Sequence, residues 1–207
     1  MIQESIFDKV LFCSAIEEEL LGLVPAIKHK LALGVGNMEA MMNCFLYLSA
    51  NKEINEIIFI GSAGTYDTKL CPLFSIVKGK DYYYRELAVW KLEANSPNLL
   101  EVFIPQTEVS KNNSHFFRWN LEKYSVNSPH SISLISISDL PEWEHGPVLE
   151  NMEVFGIAKL ARKMGLNFTS IFGITNEVGR NGSRDWLRNY KQVSKNLIQE
   201  INNFLVS

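Results

Sequence analysis

The spacing of apolar residues restricts the possible folds of this chain more than any other feature. Four uninterrupted apolar runs have the length of a strand, and they lie at residues 9–15, 56–64, 131–138 and 168–175. Runs without polar alternation are typical of strands whose two faces are both covered. Segments with helical spacing lie between and after them, at residues 37–50, 149–165 and 183–205. This alternation predicts an α/β fold in which helices cover both faces of a largely parallel sheet.

The middle of the chain follows this pattern less clearly. Residues 73–79, 87–92 and 100–105 have the length and composition of shorter, more polar strands. Two interpretations are open for residues 65–130, because such strands can either extend the central sheet or form a partial barrel.

Composition narrows the classes of function. The chain has 207 residues, 46% of them hydrophobic and 21% charged, which predicts one domain, residues 1–207, with a sizeable core. A formal net charge of -3 without any Lys/Arg cluster predicts that the protein does not bind nucleic acid. No apolar run reaches the roughly 18 residues of a membrane span, and the N-terminus lacks the features of a signal peptide. We therefore expect no membrane contact, a cytoplasmic location, and a small ligand or protein as partner.

Small and polar residues collect where the predicted strands end. The first strand ends at Ser14 and Ala15, the second at residues 61–64 ("GSAG"), and the last at Thr175 and Asn176. Ligands of α/β sheets bind at the carboxyl ends of the strands. The sequence therefore predicts a binding site formed by these ends.

The polar groups near these ends each have a structural and a functional interpretation. The acids at residues 17–19 either form a solvated first helical turn or supply a catalytic carboxylate. Glu153 stands among apolar neighbours, so it either lies on the outer face of a helix or reaches a ligand hydroxyl. Gly34 and Gly36 lack the third glycine of a dinucleotide fingerprint. They form either a tight turn or a loop whose N–H groups approach a ligand.

The histidines and cysteines predict no metal site. The four histidines share no spacing that would place two of them on one helical face, as a metal site requires, and they are His29, His115, His130 and His145. The three cysteines occur singly in apolar surroundings, and we interpret them as buried thiols: Cys13, Cys44 and Cys71.

Five short motifs resemble those of the nucleoside phosphorylase and nucleosidase superfamily, specifically the methylthioadenosine/S-adenosylhomocysteine nucleosidases of its hydrolase branch. In order, they are the run at residues 15–19, the glycine pair Gly34 and Gly36, "GSAG" at residues 61–64, Met152 with Glu153, and the strand end at residues 174–176. The tail "TNEVGRNGSRDW" is similar to the futalosine hydrolase version of the last motif. Together the motifs cover nearly the whole chain.

This resemblance implies a fold and a function. The fold is a three-layer αβα sandwich with a central mixed, largely parallel twisted sheet. The function is hydrolysis of the N-glycosidic bond of a purine nucleoside, with futalosine, a menaquinone-pathway intermediate, or another 6-oxopurine nucleoside as substrate and hypoxanthine as product. A methylthioadenosine/S-adenosylhomocysteine nucleosidase, a purine nucleoside phosphorylase and a non-catalytic nucleoside-binding homologue remain alternatives. The resemblance implies no cofactor or metal, and a homodimer.

The resemblance also implies roles for individual residues. Glu19 would hold the attacking water and take its proton, and Glu153 would accept hydrogen bonds from the ribose hydroxyls. Asn176 would stabilise the departing purine. The other predicted substrate contacts border the sugar and the base, and they are Ile16, Gly36, Ser62, Ala63, Gly64 and Met152.

The side chain at position 176 can also be judged from its own chemistry. A carboxylate only accepts hydrogen bonds and suits the amino group of adenine, whereas the amide of Asn176 offers one acceptor and two donors. The amide can reach O6 through its nitrogen and a protonated N7 through its oxygen. Asn176 therefore predicts a preference for 6-oxopurines over adenine.

Three positions depart from the pattern of the family. Val154 and Phe155 stand where small residues are usual, and Phe172 stands where many nucleosidases have Arg. These changes would crowd the helix or reshape the pocket. Leu140 and Trp143 are the candidates for the residue that stacks on the purine.

Overall fold

The computed structural model describes residues 7–109, 114, 116–135 and 146–206. The strands are, in chain order, β1 (Val10–Ser14), β2 (His29–Ala32), β3 (Glu56–Thr65), β4 (Ile76–Tyr83), β5 (Phe103–Ile104), β6 (Lys123–Asn127), β7 (Leu149–Glu150) and β8 (Asn167–Glu177). The α-helices are α1 (Asn37–Ala50), α2 (Leu87–Trp90), α3 (Val154–Met164) and α4 (Gly182–Val206). Short 3-10 helices lie at Glu17–Leu20, Gln106–Glu108 and Phe116–Arg118.

The strands form one mixed sheet that closes on itself. β3 pairs in parallel with β1 and β8, and β1 pairs in parallel with β2. β8 runs antiparallel to β4, β4 runs parallel to β6, and β6 runs parallel to β7. β7 then returns to β3 in antiparallel orientation. The predicted α/β fold with a central mixed sheet is confirmed, but the plain three-layer sandwich is wrong, because five of these strands form a closed barrel.

The length of β3 explains this closure. Its first residues pair with β1 and its last two, Gly64 and Thr65, pair with β7 on the same side, while β8 follows its whole length on the other side. The register with β8 shifts between Ala63 and Gly64, and such an irregularity bends and twists a strand. Of the two interpretations of residues 65–130, the structure supports the barrel.

The two faces of the central strands enter different cores, which is why these strands lack polar alternation. Leu11 and Ile57 belong to a cluster packed with α1 and α3. Phe12 and Ile58, their immediate neighbours in the chain, belong to a second cluster packed with α4. Each strand therefore requires apolar residues at consecutive positions.

The three residues that depart from the family pattern lie in the first of these clusters. Val154, Phe155 and Phe172 are buried. Phe155 stacks on Tyr84 with 5.2 Å between ring centroids, and Phe172 packs against Phe59 at 6.0 Å. These side chains fill the core and do not contribute to the walls of the cavity described below.

Three predicted elements differ from the structure. Residues 131–135 form no strand, and residues 136–138 lie outside the described residues, so the strand of this region is β6. Residues 87–92 contain the short helix α2 instead of a strand. The helix predicted at residues 149–165 begins only at Val154, because Leu149–Glu150 pairs as β7. Among the described residues, none of the helices has the length and apolar character needed to cross a membrane.

Candidate active site

A cavity of about 400 Å³ lies at the carboxyl ends of β1, β3 and β8, next to the first residues of α3 and α4. It is lined by Ala15, Ile16, Glu19, Val35, Ser62, Ala63, Gly64, Ile132, Glu150, Asn151, Met152, Glu153, Thr175, Asn176, Gly182, Ser183, Trp186 and Leu187. The structure thus brings together all the predicted site residues except Gly36. A larger groove, of about 600 Å³, follows α4 but contains none of the predicted site residues.

Glu19 is a buried carboxyl group in the short helix after β1. Its Oε1 accepts two hydrogen bonds from Ser62, one from the N–H and one from the hydroxyl, both at 2.8 Å. Oε2 has no hydrogen bond of normal geometry among the described residues, although the backbone N–H of Ala15 is near enough to the carboxyl to lower its pKa. Burial raises the pKa of Glu19 to about 7, the charge of Glu153 adds to this rise, and the bonds from Ser62 oppose it. Both protonation states of Glu19 are therefore accessible near neutral pH.

Glu153 lies on the same cavity, immediately before α3, and is 4% exposed. Its Oε1 accepts a hydrogen bond of 2.9 Å from the N–H of Gly36. Burial raises the pKa of this carboxyl, and the Gly36 N–H partly offsets that effect. Gly36 does not line the cavity in the described residues, and its N–H donates to Glu153; its contact with a substrate stays a prediction.

The first N–H groups of α3 all have side-chain acceptors. Oδ1 of Asn151 accepts from the N–H groups of Glu153 and Val154 at 3.1 and 3.0 Å. The Ser128 hydroxyl accepts from Phe155, and Asn37 accepts from Gly156. Such acceptors satisfy the donors that a helix start leaves unpaired. The side chain of Glu153 is therefore not needed as a cap.

Glu150 is a third buried carboxyl group on the cavity wall. Its Oε2 accepts hydrogen bonds from the hydroxyls of Tyr66 and Ser133, and its Oε1 accepts from the Ser133 N–H at 3.1 Å. Burial raises its pKa, and the bonds from Ser133 and Tyr66 oppose that rise. Glu150 thus ties residues 131–135, which contribute Ile132 to the cavity wall, to β7.

Asn176 stands at the end of β8 with a defined amide orientation. The backbone carbonyl of Glu177 lies 3.0 Å from one amide atom, which must be the nitrogen because a carbonyl only accepts. The amide oxygen therefore faces the Thr175 hydroxyl, at 2.8 Å. A Cβ at Gly64 would lie 3.0 Å from Nδ2 of Asn176 and 2.9 Å from the side chain of Val178. The last glycine of "GSAG" therefore provides the space for this amide.

Sequence reasoning assigned no role to three of the polar residues on the cavity. Asn151 carried a usable signal, because an Asn just before a helix is a common cap. Trp186 lies near the start of α4, and its indole N–H donates to the Ser62 hydroxyl at 3.0 Å, a contact that a helical pattern does not indicate. Glu150 gave no signal, because its partners Tyr66 and Ser133 are 84 and 17 residues away in the chain. The proposed stacking residues Leu140 and Trp143 lie outside the described residues.

Solved structures with the same fold exist, although no family model and no curated relative matches the sequence. Futalosine hydrolase of Helicobacter pylori superposes with a TM-score of 0.75 at 13% identity, covering 97% of each chain. The 5'-methylthioadenosine/S-adenosylhomocysteine nucleosidase of Helicobacter pylori gives 0.74 at 12% identity, covering 97% of this chain and 99% of that one. S-adenosylhomocysteine nucleosidase of Streptococcus pyogenes gives 0.73 at 16%, covering 98% of both. The resemblance seen in the motifs is thus confirmed at the level of the fold: this chain is folded as these nucleoside hydrolases are.

Proposed function

We propose that this protein is an enzyme that hydrolyses the N-glycosidic bond of a purine nucleoside. One observation carries the proposal. Glu19 and Glu153 are both buried, both line one cavity, and Oε2 of Glu19 has no hydrogen bond of normal geometry among the described residues. A buried carboxylate oxygen without a partner is costly unless a ligand or water completes it.

Glu19 would act as the general base. A water bound at its free Oε2 would attack the anomeric carbon of the ribose and transfer a proton to that oxygen. The pKa of about 7 suits this task, because a base near the working pH combines a useful deprotonated fraction with sufficient proton affinity.

Glu153 would bind the sugar. A carboxylate accepts the hydrogen bonds of adjacent ribose hydroxyls, and its charge stabilises the positive charge that develops on the ring as the bond to the base breaks. The Gly36 N–H fixes one oxygen of Glu153, so the carboxylate is oriented before the substrate binds.

Asn176 supports a 6-oxopurine such as the hypoxanthine of futalosine or inosine. The amide nitrogen uses one hydrogen for Glu177, and its second hydrogen can reach O6. The amide oxygen, which now faces Thr175, can accept from a protonated N7. A substrate with adenine, as in methylthioadenosine or S-adenosylhomocysteine, is the second candidate, because solved structures of the same fold act on those nucleosides.

Phosphorolysis is the alternative reaction. Three carboxyl groups line the described part of the cavity, Glu19, Glu150 and Glu153, and no Lys or Arg does so. Negative potential from these groups repels phosphate. Moreover, the N-terminal N–H groups of α3 are already bound to side chains and do not offer an anion site. These features favour water over phosphate.

The protein would act as a homodimer. The α1 surface, defined as Met38, Met42, Phe45 and Leu46, has side chains that are each at least half exposed. Their spacing places them on one face of α1. An apolar helix face of this kind is typical of a covered interface, and we propose a second copy of the chain as its cover.

One experiment tests the reaction and the substrate together. The protein is incubated with futalosine, inosine, methylthioadenosine and S-adenosylhomocysteine, each with and without phosphate, and the released base and sugar are identified. We expect hypoxanthine and a free sugar, independent of phosphate. Formation of ribose 1-phosphate only when phosphate is present would replace hydrolysis by phosphorolysis.

A variant tests the role of Glu19 in the same assay. Glu19→Gln should lower turnover at least about 100-fold, since general base catalysis contributes a factor of that order. Substrate binding, measured by calorimetry, should persist. Unchanged turnover would refute the role of Glu19.

A further inference from the structure

Trp186 makes a hydrogen bond beside the cavity whose direction is determined by its chemistry. An indole N–H has one hydrogen to donate and cannot accept. It lies 3.0 Å from the hydroxyl oxygen of Ser62, so that oxygen must accept. The direction of this hydrogen bond therefore does not depend on any choice of hydrogen positions.

This direction leaves the proton of the Ser62 hydroxyl for the next bond, and an ionised carboxylate can only accept it. The hydroxyl of Ser62 has one proton, and Oε1 of Glu19 lies 2.8 Å from it. Since the hydroxyl oxygen already accepts from Trp186, its proton is free to point at Glu19. The Ser62 N–H donates to the same Oε1. Two donors thus face one carboxylate oxygen, whereas Oε2 has no hydrogen bond of normal geometry among the described residues.

The indole is itself held in place. Trp186 stacks on Tyr190, one helical turn later in α4, with 4.6 Å between ring centroids and 13° between the planes. Nδ2 of Asn189 donates to the Thr175 carbonyl at 2.8 Å and ties the same part of α4 to the end of β8. Rotation of the indole away from Ser62 would break the stacking.

We propose that Trp186 is a positioning residue that reserves Oε2 of Glu19 for the attacking water. By holding the Ser62 hydroxyl in the orientation that donates to Oε1, it adds to the difference between the two carboxylate oxygens that the Ser62 N–H creates. Proton transfer then has one destination, the buried oxygen that has no hydrogen bond among the described residues. This inference rests on the proposed hydrolysis for its consequence, whereas the hydrogen-bond chain itself can be tested without turnover.

The kinetic test compares Trp186→Phe with Trp119→Phe. Phenylalanine keeps an aromatic ring at position 186 but removes the donor. Trp119 stacks on Phe204 outside the cavity, so its replacement is a matched control. We expect Trp186→Phe to lower kcat about five- to tenfold, the value of one hydrogen bond, with little change in KM. Trp119→Phe should leave both constants unchanged.

A double-mutant cycle separates positioning from packing. In a Ser62→Ala protein the indole has no hydroxyl to orient, so adding Trp186→Phe should lower kcat by less than about twofold. Equal losses in the two backgrounds would show that Trp186 acts by packing alone and would overturn the proposal.

Titration of Glu19 tests the chain of hydrogen bonds even if none of the nucleosides is hydrolysed. The bond from Ser62 lowers the pKa of Glu19, so its loosening in Trp186→Phe should move the titration to higher pH. NMR of ¹³C-labelled glutamate, assigned with Glu19→Gln, measures this shift. An unchanged midpoint would refute the proposal, whereas a shifted midpoint without base release from wild-type protein would refute the proposed function alone.

Discussion

Glu19 occupies a place that disfavours its charge. Its pKa rises from the ordinary 4.5 to about 7, chiefly because it is buried. A carboxyl group with a raised pKa stabilises the fold while it is protonated in the folded state, and this contribution is lost as the pH increases through the folded-state value. In the proposed mechanism the deprotonated form is the active one, so turnover should fall as the pH decreases below about 7. Activity and stability therefore depend on pH in opposite directions.

Replacement of the Glu19 carboxyl should show how much stability its buried charge costs. Glu19→Gln removes the buried charge, so the free energy of unfolding at pH 8 should increase by about 3 kcal/mol, the equivalent of the pKa shift. At pH 4 the carboxyl is neutral in the folded state, and the two proteins should unfold at nearly the same urea concentration. Glu18→Gln, at an exposed neighbour, is the matched control and should change neither curve. An equal gain at both pH values would contradict the electrostatic explanation.

The three acids at residues 17–19 show how much of the site could be predicted from the sequence. Glu17 and Glu18 are exposed and Glu19 is buried, yet all three are identical in chemistry and adjacent in the chain. Only the resemblance to known motifs distinguished Glu19 beforehand. Its partner Ser62 is 43 residues away, and this contact depends on the pairing of β1 with β3. The pKa of Glu19 likewise depends on burial, which no local pattern specifies.

The start of α3 is the element on which the site depends most. Asn151 joins three parts of the structure, because its oxygen accepts from the first N–H groups of α3 and its nitrogen donates to the Ser62 carbonyl at 3.1 Å. Glu153 therefore takes its position from the cap of the helix that it precedes. A change in the cap should act on sugar binding as well as on stability.

Asn151→Ala tests this coupling. Loss of the cap should lower the free energy of unfolding by about 1–2 kcal/mol, and KM should increase because Glu153 is no longer held against the sugar. Asn51→Ala is the control. The amide nitrogen of Asn51 donates to the Tyr47 carbonyl at the C-terminal end of α1, so removing this amide should affect stability without affecting KM. Equal KM values in the two variants would show that the cap does not position Glu153.

Long elements were predictable and short ones were not. β3 and β8 agree with their predicted runs within two residues at each end, because a strand covered on both faces must be apolar throughout. β5 and β7 have only two residues each, and partners define them more than side chains do. At residues 131–135, Ser133 bonds to Glu150 instead of extending a strand. Such a contact with a distant residue leaves no periodic signal.

At the scale of the whole molecule, closure of the sheet could not be predicted, because it too depends on contacts between distant residues. It depends on which of two strands pairs with each end of β3, and β7, which pairs with the last two residues, consists only of Leu149 and Glu150. The prediction that helices cover both faces of the sheet agrees with the structure, in which α1 and α3 pack on one face and α4 on the other. The sequence also predicted the end of the sheet at which the cavity lies.

The proposed homodimer can be tested through the α1 surface. A protein with Met42→Glu and Phe45→Glu should elute with the mass of one 23.6 kDa chain in light-scattering chromatography, whereas the unchanged protein should have twice that mass. Charged side chains on this face would lose their hydration in an interface. Leu99→Glu, at a fully exposed leucine outside α1, is the control and should remain dimeric. A dimer that survives both substitutions would place the interface elsewhere.

The closed circuit of strands also limits aggregation of this protein through exposed strand edges. Among the described strands, β2 and β5 are the ones that pair with a single neighbour, and they have four and two residues. An unpaired strand edge is a template on which a strand from another molecule can add, and a short edge is a poor template. By returning β7 to β3, the barrel covers the edge that the last two residues of β3 and the two residues of β7 would otherwise expose. The pairing that shapes the cavity thus also protects the sheet against edge-to-edge aggregation.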